Sequence, residues 1–475
     1  MKRRVKSLFH EHNFEPKHRR SPGFFGVLLC LGHRADSVHA AHVLRMRSMK
    51  FGLSAAVAAA VFVIACAGSE VDDTNEGPGQ GDAGKLPDGG SKPDTGAVTP
   101  DGSSGDPDAS DPNCPNADVC PADLQVAAGG TYQALGGSPA TVLEHSCVIK
   151  KGALYCWGSN VAGQVGDGST TAPSQIVGVQ TKVHQVSTGG AHTCSVTFDR
   201  NLWCWGSNTH GQLGVSPSNP LVPTLVTTGV RQVSAGDTHS CAIKSDNTLW
   251  CWGNNSAGQA NPTSSSATIV VPVQIGADFR DVSVGLGHTC AIKTDDSLWC
   301  WGANSSSQLG LGTTSAKELP SKVASDVSLV RAGASTTVFV DKLGAVRVTG
   351  DGANGQLGLG STAKVSSPSV VPGLTNVKGI AMGARGYHVC AIGDGGMKCW
   401  GWAAAFPRGS ATVTNQNVTS PTLLVNDADS VAAGRVHSCY ARANGDVLCW
   451  GDKNSVLPGG GGTTAQNSPT LITIP

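Results

Sequence analysis

The 475-residue sequence is poor in charged and in aromatic side chains. Charged residues make up 14 % and aromatic residues 5 %, and the 34 Lys/Arg are balanced by 34 Asp/Glu. This balance excludes a generally basic nucleic-acid-binding protein and a wholly acidic one. Glycine (62) and cysteine (16) are instead abundant. Together these features favour a turn-rich, all-β protein from an oxidising compartment.

The balance of charge is the sum of three unlike segments. Residues 1–50 carry 11 Lys/Arg and three acidic residues, a net charge of +8, whereas residues 67–113 carry 11 Asp/Glu and two lysines, a net charge of −9. Residues 114–475 contain 21 basic and 20 acidic residues. Because binding to a phosphate backbone needs a basic face, we expect no nucleic-acid partner for this last segment.

Residues 46–66 have the order of features of a secretory signal peptide. Arg47 and Lys50 form the basic end, and the apolar run at 52–65 is too short to serve comfortably as a membrane span. The run ends in Val63-Ile64-Ala65-Cys66, which resembles the bacterial lipobox. This resemblance implies that Cys66 is the site of lipid attachment and the mature N-terminus. An ordinary signal peptide with a chance cysteine is the alternative.

The residues on either side of this signal are interpreted from their composition. Residues 1–45 form a leader that a signal peptide should not have, so we expect translation to begin at Met46 or Met49. Residues 67–113 are rich in Asp, Gly, Pro, Ser and Thr and predict a disordered, acidic tether. An entry segment, 114–125, follows, in which we expect Cys114 and Cys120 to form a disulfide.

Residues 126–475 contain an internal repeat, the strongest signal in the sequence. Cys-Trp-Gly begins at Cys156, Cys204, Cys251, Cys300, Cys399 and Cys449. Neighbouring copies are 48, 47, 49, 99 and 50 residues apart, and the interval of 99 holds a degenerate copy at 346–350. The sequence therefore has seven units of about 49 residues.

Each unit contains a hairpin, and in six of the seven units the hairpin places two cysteines opposite each other. Loops of two or three residues separate the strands, so both observed spacings keep the cysteines face to face, at the separation that a disulfide requires. The degenerate unit has Val338 and Val348 at these two positions, so both cysteines are lost together. A zinc site would need four converging ligands. The predicted disulfides are Cys147–Cys156, Cys194–Cys204, Cys241–Cys251, Cys290–Cys300, Cys390–Cys399 and Cys439–Cys449.

A proline-apolar segment ends every unit, from Pro173 in the first to Pro469 in the last. The first unit has no such segment before it, and the last has no unit after it. We interpret these two ends as complementary, and we predict a ring closed by pairing of the N- and C-terminal strands. The predicted fold is an all-β, seven-bladed β-propeller with four strands per blade.

The repeat resembles that of the regulator of chromosome condensation family. The resemblance rests on Ala235-Gly236, His239-Ser240, Trp252-Gly253-Asn254 and the Gly-Gln-Leu-Gly motif at 211–214. It implies a seven-bladed propeller, and the name-giving members are exchange factors for a small nuclear GTPase that also contact chromatin. The chain departs from the pattern in its paired cysteines, in an insertion between Gly129 and His145, and in Trp402-Ala403 of the sixth unit.

Histidine recurs at one position of six units. Six imidazoles at one level of a ring could surround a metal ion, but a residue present in nearly every repeat is more often part of the repeat's own structure. The residues concerned are His145, His192, His239, His288, His388 and His437. We found no catalytic set of residues and no phosphate-binding loop, and we predict no cofactor.

These observations predict a monomeric, lipid-anchored binding or scaffold module of the cell envelope, on the outer membrane facing the periplasm or the cell surface. One face of the ring would bind a protein, peptide or glycan, with the irregular loops of units one, five and six as the binding face. Two alternatives are an exchange factor for a small GTPase, by analogy with the family, and an enzyme that processes envelope glycans. Fold alone does not decide between them.

Overall fold

The structure, a computed structural model, describes residues 124–133, 141–216, 219–402, 416–452 and 466–475. The chain divides into residues 1–100, which lie outside the described residues, and residues 101–475, which contain every described strand. Across the described ranges, no helix is both long and apolar enough to cross a bilayer.

Within the described residues, twenty-eight strands form seven antiparallel sheets, each built from four strands that are consecutive in the sequence. We number the sheets as blades 1–7 in chain order. The first strands of the blades are β1 (Leu124–Gln133), β5 (Val183–Thr188), β9 (Val230–Ala235), β13 (Phe279–Val284), β17 (Val327–Ala332), β21 (Gly379–Ala381) and β25 (Ser430–Ala433). The second strands are β2 (Thr141–Lys150), β6 (His192–Thr197), β10 (His239–Lys244), β14 (His288–Lys293), β18 (Thr336–Asp341), β22 (His388–Gly393) and β26 (His437–Ala441).

The remaining two strands of each blade follow in the same order. The third strands are β3 (Ala153–Gly158), β7 (Leu202–Gly206), β11 (Leu249–Asn254), β15 (Leu298–Gly302), β19 (Val346–Gly350), β23 (Gly396–Gly401) and β27 (Val447–Gly451). The fourth strands are β4 (Val177–Gln180), β8 (Thr224–Thr227), β12 (Thr268–Gly276), β16 (Glu318–Ala324), β20 (Val365–Val370), β24 (Val418–Val425) and β28 (Gln466–Ile472).

The blades are arranged around a central channel. Each first strand packs on the first strand of the next blade, and β25 packs on β1, so the circle is closed. Residues of all seven first strands line one cavity at the centre. The prediction of an all-β, seven-bladed propeller is therefore confirmed.

The predicted way of closing the ring is wrong. The last proline-apolar segment, β28, pairs with β27 of its own blade, and β1 pairs only with β2 in blade 1. Among the described strands, no sheet contains both the first strand, β1, and the last, β28. Every unit supplies all four strands of its own blade, so neither end lacks a partner that the other could provide. The ring closes by packing of β1 against β25 and β26.

The cysteine pairs stand at the predicted register in the six hairpins that carry them. Cys241 lies opposite Cys251, and Ile243 lies opposite Leu249. The structure contains the six predicted disulfides, each with 4.1 Å between the Cα atoms. Val338 and Val348 of blade 5 oppose each other at the same register and are fully buried, so two apolar side chains fill the space of the disulfide.

The Cys-Trp-Gly motif has a separate structural reason for its glycine. Gly253 has φ +106°, and a Cβ there would lie 2.6 Å from the Cα of His239 on the neighbouring strand. Only glycine combines this backbone conformation with so close an approach. The preceding tryptophan is fully buried in all six copies: Trp157, Trp205, Trp252, Trp301, Trp400 and Trp450. The motif thus places one bulky core residue in each blade beside a backbone crossing.

The repeated proline lies in or next to the fourth strand, which is the outer edge of each sheet. Pro368, Pro421 and Pro469 lie inside β20, β24 and β28. Proline cannot donate a backbone hydrogen bond, and on an edge strand it hinders pairing with another chain. The proline-apolar segment therefore closes each sheet at the rim of the ring.

Candidate functional site

One face of the ring carries the irregular loops. Since strands alternate in direction, the loops joining first to second strands and those joining third to fourth strands lie on the same face, which we call the loop face. The blade 1 insertion extends β1 and β2 into a longer hairpin on this face, with Gln133 paired to Thr141. The irregular segment of unit six also begins on this face, at Trp402. Unit five differs, because its changes at Val338 and Val348 are buried in the core.

The repeated histidines lie beside the loop face and join neighbouring blades. In all six, Nε2 lies 2.7–2.9 Å from a serine or threonine hydroxyl of the next blade. The Ser240 hydroxyl, for example, donates to the Gln212 carbonyl at 2.8 Å and so accepts a hydrogen bond from His192. The Trp252 indole donates to the same carbonyl at 2.8 Å. His, Ser/Thr, Gly-Gln and Trp are therefore parts of one connection between blades.

Five of these buried histidines are held neutral by lowered pKa values. Burial, helped by the charge of neighbouring histidines, lowers the pKa of His145 and His239 to about 3. The same two causes lower the pKa of His388 to about 3, and burial alone lowers the pKa of His192 and His288 to about 4. A neutral imidazole has one N–H, and here that N–H donates a hydrogen bond to a side chain of the next blade.

The junction between blades 7 and 1 adds a carboxylate to this connection. Glu144, the last residue of the blade 1 insertion, places Oε2 2.5 Å from Nδ1 of His437. The Val436 amide donates to the same oxygen at 3.3 Å. Nε2 of His437 lies 2.7 Å from the Ser146 hydroxyl. Since a carboxylate only accepts hydrogen bonds, His437 donates from Nδ1, whereas His192 donates from Nε2.

Ser146, His437 and Glu144 have the atom order of a hydrolase triad. Two of the three side chains are fully buried and Glu144 is 1 % exposed, so a substrate has no route to the Ser146 hydroxyl. In this conformation the three residues act as a connection between blades 7 and 1. They reinforce the point at which the ring closes.

We expect Glu144→Ala to lower the free energy of unfolding by about 1–3 kcal/mol, because it leaves the buried Nδ1–H of His437 without an acceptor. Urea unfolding at pH 7.5 measures this loss. Glu318→Ala is the matched control, since Glu318 is half-buried on the outer strand β16 and accepts from Ser315. Equal losses in the two variants would contradict a special role for Glu144.

A cluster of aromatic and arginine side chains lies on the loop face of blades 6 and 7. The rings of Tyr387 and Trp402 meet edge to face, with centroids 6.1 Å apart. The guanidinium carbon of Arg435 lies 5.9 Å from the Trp402 ring. Tyr387 precedes β22, Trp402 follows β23, and Arg435 lies between β25 and β26. All three side chains are half-buried, so each keeps a surface open to solvent.

A salt bridge crosses the ring axis on the same face. Arg385 of blade 6 donates to Asp237 of blade 3 in a bidentate pair, with N–O distances of 2.5 and 2.7 Å. These two blades lie on opposite sides of a seven-membered ring, so the pair bridges the mouth of the channel. Burial lowers the pKa of Arg385, but the hydrogen bonds and charge of Asp237 outweigh burial and raise it.

Comparison with known proteins agrees with this repeat-by-repeat construction. The sequence profile of the RCC1-like domain matches residues 79–428, and that of the regulator of chromosome condensation (RCC1) repeat matches residues 428–456. The chain belongs to the RCC1-like family. Its match to the profiles covers most of the blades described above.

Solved RCC1-like structures share the fold with this chain. Prp20p from Saccharomyces cerevisiae is 21 % identical over 67 % of this chain and 85 % of its own, with a TM-score of 0.59. The same yeast RCC1 protein bound to Kap60 is 22 % identical, covering 67 % of this chain and 83 % of its own, with a TM-score of 0.60. Human WBSCR16 is 18 % identical, covering 68 % of this chain and 94 % of its own, with a TM-score of 0.61.

Some of the predicted site residues lie in the described part of the RCC1-like ring, and others do not. The six histidines stand at equivalent positions, but each is used between two blades, and in the described ranges no three His, Cys, Asp or Glu side chains converge on a metal site. Cys66, Cys114 and Cys120 lie outside the described residues. Lipid attachment and the seventh disulfide therefore stay predictions.

Sequence reasoning missed the residues that distinguish this ring from a regular RCC1 repeat. Four residues separate Gly383 from His388, against two between Gly236 and His239, and the longer segment contains Arg385 and Tyr387. The longer spacing could have been recognised in the sequence. The pairing of Arg385 with Asp237 could not, because these two residues are 148 positions apart.

Proposed function

We propose that this protein is an exported, lipid-anchored RCC1-like propeller that binds a protein partner on its loop face. The observation that supports this most directly is the cluster of Tyr387, Trp402 and Arg435, which has no counterpart among the described residues of the other blades. Tyrosine, tryptophan and arginine are the residue types that dominate binding energy in protein interfaces. Their position on a rigid ring keeps the cost of ordering them on binding low.

Two further observations support a protein partner. The titles of the similar yeast structures describe binding of Prp20p to Gsp1p and histones and of RCC1 (Prp20) to Kap60. Residues 114–475 of this chain are nearly neutral, with 21 basic and 20 acidic residues, which disfavours a phosphate backbone as ligand. Among the described residues of the loop face, none favours nucleotide exchange over other protein binding.

The anchor and the export of the chain are part of this proposal. Six disulfides are typical of proteins that fold in oxidising compartments. Cys66 at the end of a signal-like segment would carry the lipid, and residues 67–113 would act as the tether. A tether of that length would let the ring turn its loop face towards a partner.

Affinity capture from the cell envelope of the source organism tests the loop face. The bait is the full chain, compared with Trp402→Ala/Arg435→Ser and with Trp250→Ala/Lys244→Ser. The second variant removes a similar cation–aromatic pair, 4.4 Å apart, from the other end of blade 3. We expect the loop-face variant to lose the partner that wild type and control both retain. Retention by all three baits would contradict the proposal.

A further inference from the structure

The free edges of the first strands face the central channel, and side chains from the preceding blade cap many of their amides. Gln125 accepts from the Val186 amide at 3.0 Å, and Gln185 accepts from Val233 at 2.9 Å. Two residues further along the first strand, nearer the loop face, three serines also accept hydrogen bonds from amides of the next blade. Ser187, Ser234 and Ser283 accept from the amides of Ala235, Val284 and Ala332 at 2.9–3.1 Å.

At the level of the glutamines, Oε1 of Gln232 in blade 3 has no partner, and the row of serine caps stops at blade 5. Leu329 and Arg331 hold the two capping positions there, and Gly379 and Ala381 hold them in blade 6. None of these side chains carries a hydrogen-bond acceptor. By their register with the second strands, Ile380 of blade 6 and Val431 and Ala433 of blade 7 are residues whose amides face the channel. These three amides have no side-chain acceptor from the preceding blade.

Arg331 brings a positive charge to the same place. Its Nη1 donates to the Val330 carbonyl at 2.7 Å, which holds the guanidinium along the inner edge of blade 5. Among the described residues that line the cavity, Arg331 is the one charged side chain. Asp281 of blade 4 is not among them, and its carboxylate accepts from the lining residue Gln232 at 2.6 Å. A guanidinium has five N–H donors, so one carbonyl leaves several of them available.

Small side chains on the neighbouring blades leave space for a ligand beside the Arg331 guanidinium. Blades 6, 7 and 1 present Ala381, Ala432 and Ala127 to the channel, where blades 2 to 4 present serine. The cavity has a volume of about 200 Å³. At the loop-face mouth, Arg385 is already neutralised by Asp237, so it does not compete with Arg331 for an anion.

We propose that the central channel binds one small oxyanion, a carboxylate or a phosphate, between the Arg331 guanidinium and the channel-facing amides of blades 6 and 7. Charge-assisted hydrogen bonds from a guanidinium and converging backbone amides are what carboxylate and phosphate oxygens require. The site lies inside the ring and is independent of the partner surface on the loop face.

Isothermal titration of the full chain with sodium acetate and, separately, with inorganic phosphate tests this site. Ionic strength is held constant with sodium chloride. Wild type should bind at least one of the two anions saturably, with one site per chain. Acetate binding alone would identify a carboxylate ligand, and phosphate binding alone would identify a phosphate ligand.

Three variants locate the site. Arg331→Ser restores the serine found in blades 2 to 4 and should weaken binding by roughly tenfold or more, with the thermal midpoint unchanged or raised. Ala381→Ser supplies an acceptor for the Ala433 amide and should weaken binding while keeping the charge. Arg347→Ser removes an arginine that pairs with Asp341 outside the channel and should bind like wild type.

The proposal fails if wild type binds neither anion saturably. It also fails if Arg331→Ser binds as tightly as wild type. An equal loss in Arg331→Ser and Arg347→Ser would overturn it as well, because a general attraction between charges would then explain the binding.

Discussion

Complete reduction of the disulfides is expected to unfold the propeller at neutral pH and room temperature. Each disulfide closes a loop of nine or ten residues, which corresponds to roughly 2–3 kcal/mol in the chain-entropy model. Six such contributions amount to roughly 12–18 kcal/mol, which is as large as or larger than the roughly 5–15 kcal/mol by which domains are usually stable. Circular dichroism and tryptophan fluorescence with and without dithiothreitol measure the effect. A reduced chain that keeps the native spectra of both kinds would contradict it.

The degenerate blade provides matched variants for a single disulfide. Cys241→Val/Cys251→Val copies Val338 and Val348 of blade 5 and should lower the free energy of unfolding by about 2–3 kcal/mol. Val338→Cys/Val348→Cys should form an additional disulfide and raise stability by a similar amount, since these valines already oppose each other at the cysteine register. If neither variant changed stability, cross-linking of the hairpins would not be what stabilises the blades.

Acidification between pH 6.5 and pH 4.5 is expected to destabilise the ring strongly, even with the disulfides intact. Five buried histidines have folded pKa values of about 3 to 4, below the value of 6.5 expected in the unfolded chain. In this window the unfolded state binds more protons than the folded state, so stability is fully present above pH 6.5 and is lost as the pH falls. Each histidine contributes about 1.4 kcal/mol per pH unit, which for five amounts to the order of 10 kcal/mol at pH 5.

Urea unfolding at a series of pH values measures this loss. Hydrogen bonds from Thr248 and Ser297 lower the pKa values of Asp246 and Asp295, which moves the titration of these carboxylates further away from the window. His239→Thr copies Thr336 of blade 5 and should reduce the slope of stability against pH by about one fifth. A slope near zero in wild type, or an unchanged slope in the variant, would mean that the buried histidines are not responsible.

The repeated parts of the structure were predictable because they depend on local sequence. Hairpin loop length sets which residues oppose each other, so the position of Cys241 opposite Cys251 follows from the loop between them. Seven copies of the unit make a ring, which gives the number of blades. The closure was predicted wrongly because the sequence does not show where one blade ends, and a shift of one strand changes which strands pair.

The particular residues of the site were less predictable because they meet across the ring. Glu144 and His437 are 293 residues apart, and they touch because blade 7 packs on blade 1. Arg331 was visible only as part of a degenerate unit. Its importance depends on the absence of acceptors at 379 and 381 of the next blade, which becomes clear only when the first strands are seen side by side.

Intact-mass analysis of the protein purified from its native membrane most directly tests the central claim of an exported, lipid-anchored, disulfide-linked ring. The account predicts a chain that begins at Cys66, carries acyl groups, and lacks the fourteen hydrogens removed by the six disulfides of the structure and the predicted Cys114–Cys120 bridge. A Cys66→Ser chain should lose the acyl mass and leave the membrane fraction. A native chain that begins at Met1, Met46 or Met49, without acyl groups and with free thiols, would contradict the claim.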